Sequence, residues 1–401
     1  MKTKIRNFQL FDGYELHADK TTIVFDETEI IAIGQEANGI DADQVIDGEG
    51  LTCLPGLMDC HVHLTMDGNP DPFRDLSGNS EADGSFRAVR NARRQLDAGV
   101  TTVRNVGSQH NIDIALRNAI ENGFIEGPRV VASGKPIVMT GGHGHNMAIE
   151  ADGVDEIRKA ARTQLKAGAD LLKLMATGGV MTPGVDPGAT QLDEDELRCA
   201  CNEASKAGKT TAAHAQGREG IKNAIRAGIT TVEHGIYLDE ELIGMMLESG
   251  TYLVPTLSAP FYIAENGLEG GIPQHAIDKT KVVMDVHKNS FIQAYRAGVK
   301  IAAGTDAGTP FNQHGDFLKE LELMVEYGME VEDALRSATI IAADAMNILQ
   351  RTGSVEERKA ADLLFVKGNP LEDISIVRNV AYVFKEGKCV VANREKTPHK
   401  V

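Results

Sequence analysis

The middle of the chain alternates two kinds of segment. Stretches with helical spacing end in Ala-Gly or Ser-Gly, and short, mostly apolar runs follow them. Ala98-Gly99 precedes Val100-Thr101-Thr102-Val103, Ala167-Gly168 precedes Asp170-Leu171-Leu172-Lys173-Leu174, and Gly298 precedes Val299-Lys300-Ile301-Ala302-Ala303. Gly208, Gly228 and Gly250 stand in the same way before 210–214, 229–234 and 251–254. A glycine just past a helix adopts the left-handed conformation that closes it. Apolar runs without clean alternation belong to strands covered on both faces. One helix, over 193–207, is marked in detail. Asp193 is placed to cap it, Glu196 completes a capping box, and Leu197, Ala200, Cys201, Ala204 and Ala207 share a face.

Strands alternating with helices predict parallel βαβ units. Eight candidate strands fall between Leu57 and Asp306, the first at 57–61 and the third at 129–133. Eight units predict an α/β fold of the closed (β/α)₈, TIM-like barrel type over residues 56–359. The ends read differently, as short strands at 22–25, 29–33, 362–366 and 380–384, with turn residues Lys367-Gly368-Asn369-Pro370 between the last two. Neither end has enough apolar residues for its own core. Residues 1–55 plus 360–401 are therefore expected to form one small β-sandwich domain.

Composition narrows the partners. The 401 residues are 42% hydrophobic and 25% charged, which is globular and not disordered. A net charge of −17 argues against nucleic acid and anionic membranes as partners. It leaves a local positive site open and suits bound cations, with homo-oligomerisation also open. No apolar run is long enough to span a bilayer, and no signal-like apolar stretch follows the basic start. The five scattered cysteines do not make a disulfide framework, so a reducing cytoplasm is expected. Cys199 and Cys201, two apart on a helix, do not share a face.

The candidate chemistry begins at Pro55-Gly56-Leu57-Met58-Asp59-Cys60-His61-Val62-His63. On a strand, His61 and His63 point to the same side. Lys173 lies inside an apolar strand, where a buried ammonium finds a carboxylate or loses its proton. It reads either as such a paired lysine or as a neutral amine that has captured carbon dioxide as a carbamate. His214, His234 and Asp306 end the fifth, sixth and eighth strands. Each alone has an ordinary explanation, as a hydrogen-bonded histidine or a helix-capping aspartate. Together, at the carboxyl ends of barrel strands, they converge on the face where active sites sit, as nitrogen and oxygen donors suited to a divalent metal.

This ligand pattern, the strands of both termini and the ending Ala361-Asp362-Leu363-Leu364-Phe365-Val366-Lys367-Gly368-Asn369-Pro370-Leu371 resemble the amidohydrolase superfamily in its two-metal form. The resemblance implies that His61, His63 and Asp306 bind one divalent ion, that His214 and His234 bind another, and that Lys173 bridges them as a carbamate. Zinc suits such donors best, with manganese or cobalt open. The strings Gly141-Gly142-His143-Gly144-His145, Met175-Ala176-Thr177-Gly178-Gly179-Val180 and Glu233-His234-Gly235-Ile236-Tyr237-Leu238-Asp239 are similar to the imidazolonepropionase-related branch that holds prolidases and Lys/Arg carboxypeptidases. One departure is Glu356-Glu357-Arg358-Lys359, where relatives have a Pro-Gly turn.

The substrate implied is a small molecule or short peptide, and the reaction is hydrolysis of the amide bond of dipeptides or short peptides by a hydroxide shared between two cations. Asp306 would accept the proton and pass it to the departing amine. His143 and His145, after the third strand, are candidate donors to the oxyanion or to a substrate carboxylate. By resemblance Tyr237 contacts the substrate α-carboxylate. Arg104, near the end of the second strand, either assists carboxylate binding or sits in a structural ion pair. His314 either lines the pocket or is structural; His17, His110, His275, His287 and His399 carry no motif. Side-chain selection is expected in loops 64–86, 135–150 and 257–280. Two other readings remain open at this point: a cyclic-amide hydrolase or deaminase, and a barrel without catalysis.

Overall fold

Strand formation follows burial. The computed structural model describes residues 1–72, 76, 78, 80–184 and 186–393. His399, the end of the 360–401 segment and part of the 64–86 loop lie outside the described residues. The N-terminal strands are β1 (Thr3–Leu10) and β3 (Ile30–Ile33), which largely alternate buried with more open positions, β2 (Thr21–Phe25) and β5 (Leu51–Pro55), buried after their first residue, and the more open β4 (Gln44–Asp47). Next come strands buried along their whole length: β6 (Leu57–Val62), β7 (Val100–Asn105), β8 (Arg129–Ala132), β9 (Ile137–Val138) and, with less burial, β10 (Ile149–Glu150). They continue through β11 (Leu171–Met175), β12 (Thr210–Ala215), β13 (Thr231–His234) and β14 (Tyr252–Val254). The chain returns in β15 (Leu363–Lys367), β16 (Val380–Lys385) and β17 (Lys388–Ala392).

The result is a mixed α/β fold. Strands β6-β7-β8 form one parallel sheet and β10-β9-β11-β12-β13-β14 another. The terminal strands form a single hydrogen-bonded path, β17-β16-β15-β5-β1-β2-β3, with β4 on β1. The terminal strands thus make two halves that share β1. Phe25 of one half packs edge-on against Phe384 of the other at 4.9 Å. Arg129, at the start of β8, reaches Asp362 at 2.6 Å and Glu386 at 2.7 Å, fastening this sheet to the parallel strands.

The capping box is as expected: Asp193 accepts from the Glu196 backbone and Glu196 from the Asp193 backbone, both at 2.9 Å, at the head of helix Glu194–Lys206. The expected eighth strand is different. Of 299–303, only Ile301 makes a ladder bridge, to Leu253. The reason is that this backbone divides its hydrogen bonds between two neighbours. Leu253 donates to Lys300 at 3.0 Å and Ala302 to Leu253 at 2.9 Å, whereas Cys60 donates to Ala303 at 2.9 Å and Asp306 to His61 at 2.7 Å. Gly304 permits this handover, since a Cβ there would lie 2.6 Å from Val254 and 3.0 Å from His61. The 257–280 stretch, read as a loop, is mostly helical: Ser258–Asn266 and the start of Gln274–Ala297. Among the described residues no helix is long and apolar enough to cross a membrane.

Candidate metal centre

His61 sits on β6 with His63 just beyond it, Lys173 on β11, His214 on β12 and His234 at the end of β13. Parallel pairing in register sets Lys173 opposite Ala212 and His214 opposite Glu233. The rings gather closely: His61 to His63 at 5.4 Å, His61 to His234 at 5.1 Å and His214 to His234 at 4.6 Å between centroids. One Asp306 carboxylate oxygen lies 3.4 Å from His61 Nε2 and 3.3 Å from His63 Nε2. His61, His234 and Asp306 place ligand atoms within 4.8 Å of one another, close enough to share an ion. His234 and Asp306 hold φ of +73° and +62°. That left-handed conformation is uncommon for such residues and typical of sites whose surroundings enforce it.

The ring nitrogens are divided consistently. His61 Nδ1 donates to Glu233 at 2.7 Å, His63 Nδ1 to the Gly107 carbonyl at 3.3 Å and His214 Nε2 to the Gly178 carbonyl at 2.9 Å. His234 Nδ1 pairs with the Thr256 hydroxyl at 2.7 Å. Carbonyls and carboxylates only accept, so the proton sits on the engaged nitrogen and leaves the other a lone pair. Orienting each imidazole through its second nitrogen is how proteins prepare metal ligands. Burial holds His61, His214 and His234 well below the usual imidazole range, so all three are neutral, the ligating form.

Lys173 is 2% exposed, and its Nζ has no hydrogen-bond partner. Burial pushes its ammonium down to about 8, against the opposing pull of Glu233 and Asp306. An orphaned buried amine beside a set of nitrogen and oxygen donors fits an ion-binding centre better than a structural pair. Glu233 is fully buried and both its oxygens are engaged, one with His61 and one with Arg104 at 2.8 Å and the Thr231 hydroxyl. Asp59, pushed up to about 7 by burial, accepts from the His61 backbone at 3.1 Å and the Thr305 hydroxyl at 2.6 Å.

The remaining candidates divide. His143 stacks on His214 at 4.3 Å, and its Nδ1 meets the Thr182 hydroxyl at 2.6 Å. His145 is exposed, with Nδ1 on the Gly142 carbonyl at 3.0 Å. Tyr237 is half-buried and does not line the cavity over the site; its backbone donates to Gln216, which does. Arg104 is fully buried, its guanidinium engaged by the Cys60 carbonyl, Thr231 and Glu233, so it meets the site through Glu233 and His61. His314 donates to the His63 and Met66 carbonyls at 3.2 and 3.0 Å, a structural role.

Sequence reasoning missed Glu233, Asp59, Thr256 and His287. Asp59 shares the strand face of His61 and His63, and Glu233 is an acid in an apolar strand; both signals were readable. His287 donates to the His234 carbonyl at 2.9 Å. A cavity of about 670 Å³, including its open mouth, adjoins His214, His234 and Asp306.

A sequence model of the amidohydrolase family matches residues 52–390. The chain is 32% identical over 369 residues to an ochratoxinase of Aspergillus niger, covering 84% of this chain and 75% of that protein. Its structure is similar to that of a Xaa-Pro dipeptidase with methionine bound in the active site, at 35% identity and TM-score 0.87, over 97% of this chain and 99% of the other. It is also similar to a prolidase complexed with N-methylphosphonate-L-proline, at 31% identity and TM-score 0.90, over 98% and 100%.

Proposed function

Because the chain belongs to the amidohydrolase family, and so is a hydrolase acting on carbon–nitrogen bonds, we propose that it is a two-metal dipeptidase or carboxypeptidase of the prolidase kind. The observation that carries this reading is the division of ring nitrogens around the orphaned Lys173 amine. His61, His63 and Asp306 would hold one ion and His214 and His234 the other, with Lys173 between them as a carbamate. A neutral amine is the form that adds carbon dioxide, and burial favours it at Lys173. Bound, the two ions, zinc by preference, would acidify water and polarise the scissile carbonyl.

This chain's own residues complete the reaction. Asp306, touching both His61 and His63, takes the proton of the attacking water and delivers it to the departing amine nitrogen. His143, its Nδ1 occupied by Thr182, donates from Nε2 to the developing oxyanion. Burial brings its imidazole down to about 3, so it acts as a neutral donor. The two parallel sheets are read as the wall of one (β/α)₈ barrel over 56–359, with 1–55 and 360–401 as one small domain. The handover of 300–306 between β14 and β6 supports that reading.

The test is a dipeptide library that includes Xaa-Pro, Xaa-Lys and Xaa-Arg, with metal analysis on the same sample. Release of free amino acids at two ions per chain is the expected result. A metal-loaded protein that hydrolyses no member defeats the reading.

A further inference from the structure

The cavity beside the candidate metal centre has a chemistry of its own. Away from the histidines its wall is mostly apolar, with Met66, Val180, Met181, Ile236, Ile263 and Val283, and its polar members there are uncharged Gln216 and threonines apart from Asp306. Those apolar residues come from five separate parts of the chain, including the helices Ser258–Asn266 and Gln274–Ala297.

The charge on that wall is more telling than its greasiness. Among the described residues neither lysine nor arginine lines the cavity, and Asp306 is its one carboxylate. Lys279 lies one turn before Val283 but commits its ammonium to the Gly179 and Thr182 carbonyls, at 3.3 and 2.6 Å. His275, from the same helix, bonds the Met181 carbonyl at 3.0 Å. These polar groups pin the Val180–Met181 segment in place and leave the apolar side chains facing the space. Asp306 is already engaged by His61 and His63, so a charged side chain entering here would lose water and gain no uncommitted counter-charge, whereas an apolar one gains from the same move.

We propose that this cavity is the side-chain subsite of the hydrolase, that it takes a large uncharged residue of the leucine, methionine or phenylalanine class beside the scissile amide, and that Ile263 and Val283 set that choice. The proposal rests on the amide-hydrolase reading above and narrows it, placing substrates with lysine or arginine in this subsite out of reach.

The experiment is a dipeptide matrix with Leu, Met, Phe, Lys and Glu at each position, run on metal-loaded enzyme, together with calorimetric titration of free L-leucine, L-methionine and L-lysine. At one of the two positions kcat/KM for the apolar residues should exceed that for Lys and Glu by about 100-fold or more. Ile263→Asp should erase most of that preference and raise turnover of the lysine substrates, at unchanged metal content. Ile263→Val, as a fold control, should keep the preference. A best substrate with Lys at both positions, or rates flat within about threefold, overturns the proposal. A matrix with no turnover defeats the amide-hydrolase reading instead, and the titration then decides the subsite. Leucine and methionine binding about tenfold tighter than lysine supports it; equal affinities overturn it.

Discussion

Arg104 and Arg129 sit on neighbouring strands of one sheet, β7 and β8, and both are buried against carboxylates. Arg104 lies near the carboxyl end of its strand and Arg129 begins its own. The first holds Glu233, which holds His61. The second holds Asp362 and Glu386, on the returning C-terminal segment. Burial works to raise the Asp362 carboxyl, and Arg129, Lys385 and the Glu386 backbone together outweigh that and hold it below the usual carboxylate range. The same chemistry thus serves two ends: ligand positioning where the strands finish, fastening of the terminal sheet where they start. Breaking a buried pair leaves one charge uncompensated in either place. Only one of the two pairs is wired to the candidate metal centre.

The largest effect expected at the catalytic end is from Asp306→Asn. Loss of proton transfer should lower kcat by about 10³-fold or more, with little change in melting temperature. Retention of a tenth of the activity would remove Asp306 from that role. At the fastening end, Arg129→Met should cost about 3 kcal/mol in denaturant unfolding, because buried Asp362 loses its guanidinium and keeps only Lys385, the Thr352 hydroxyl and the Glu386 backbone. The metal affinity of the folded fraction should not change. The sign with pH follows from the lowered Asp362 pKa. In the native protein its contribution is present above the ordinary carboxylate value of 3.8 and is lost as pH falls through the lowered folded value. Arg129→Met removes that contribution, so the gap between variant and parent should close on acidification. A gap that widened instead would break the assignment.

Glu233→Gln sharpens the comparison from the other side. It should also lose stability, since Arg104 is then unpaired, but in addition metal affinity should weaken by about 10–100-fold. Competition with a chelator measures this. If Arg129→Met and Glu233→Gln weakened metal binding equally, the two ends would not be functionally separate.

The contrast also shows what a sequence can disclose. The six candidate ligands were legible because histidine, lysine and aspartate are costly at the ends of apolar strands, so their presence there needs a reason. The pairing of Arg104 with Glu233 was not, because its members are far apart in sequence and either could meet many partners. His145 looked equivalent to His143 in the same glycine-rich string. Gly144, at φ +72°, turns the backbone between them, and only His143 lines the cavity. Strands β6 to β8 and β11 to β14 were readable from their apolar runs, whereas β9 and β10 lie in the 135–150 segment, which reads as a loop because each is only two residues long. The 299–303 segment was misread as an ordinary strand because hydrophobicity reports burial and says nothing about how hydrogen bonds are shared. The apolar subsite was least legible, since its wall is assembled from residues that individually read as helix core.

The smallest expected effect tests the feature that local sequence specified most fully. The Asp193–Glu196 capping box requires only residues three apart, and both reciprocal bonds are present. Asp193→Ala removes the acceptor for one otherwise unsatisfied backbone N–H at the head of helix Glu194–Lys206 and should cost about 1 kcal/mol. Glu196 also accepts from the Gly153 backbone at 2.7 Å, so the box touches the head of the preceding helix as well. Neither contact reaches a candidate ligand. Thermal unfolding should therefore shift slightly while kcat/KM and metal content stay at the parental value. A loss of metal on this substitution would mean that helix-end stability feeds into the centre, and the separation drawn from Arg104 and Arg129 would have to include the outer helices too.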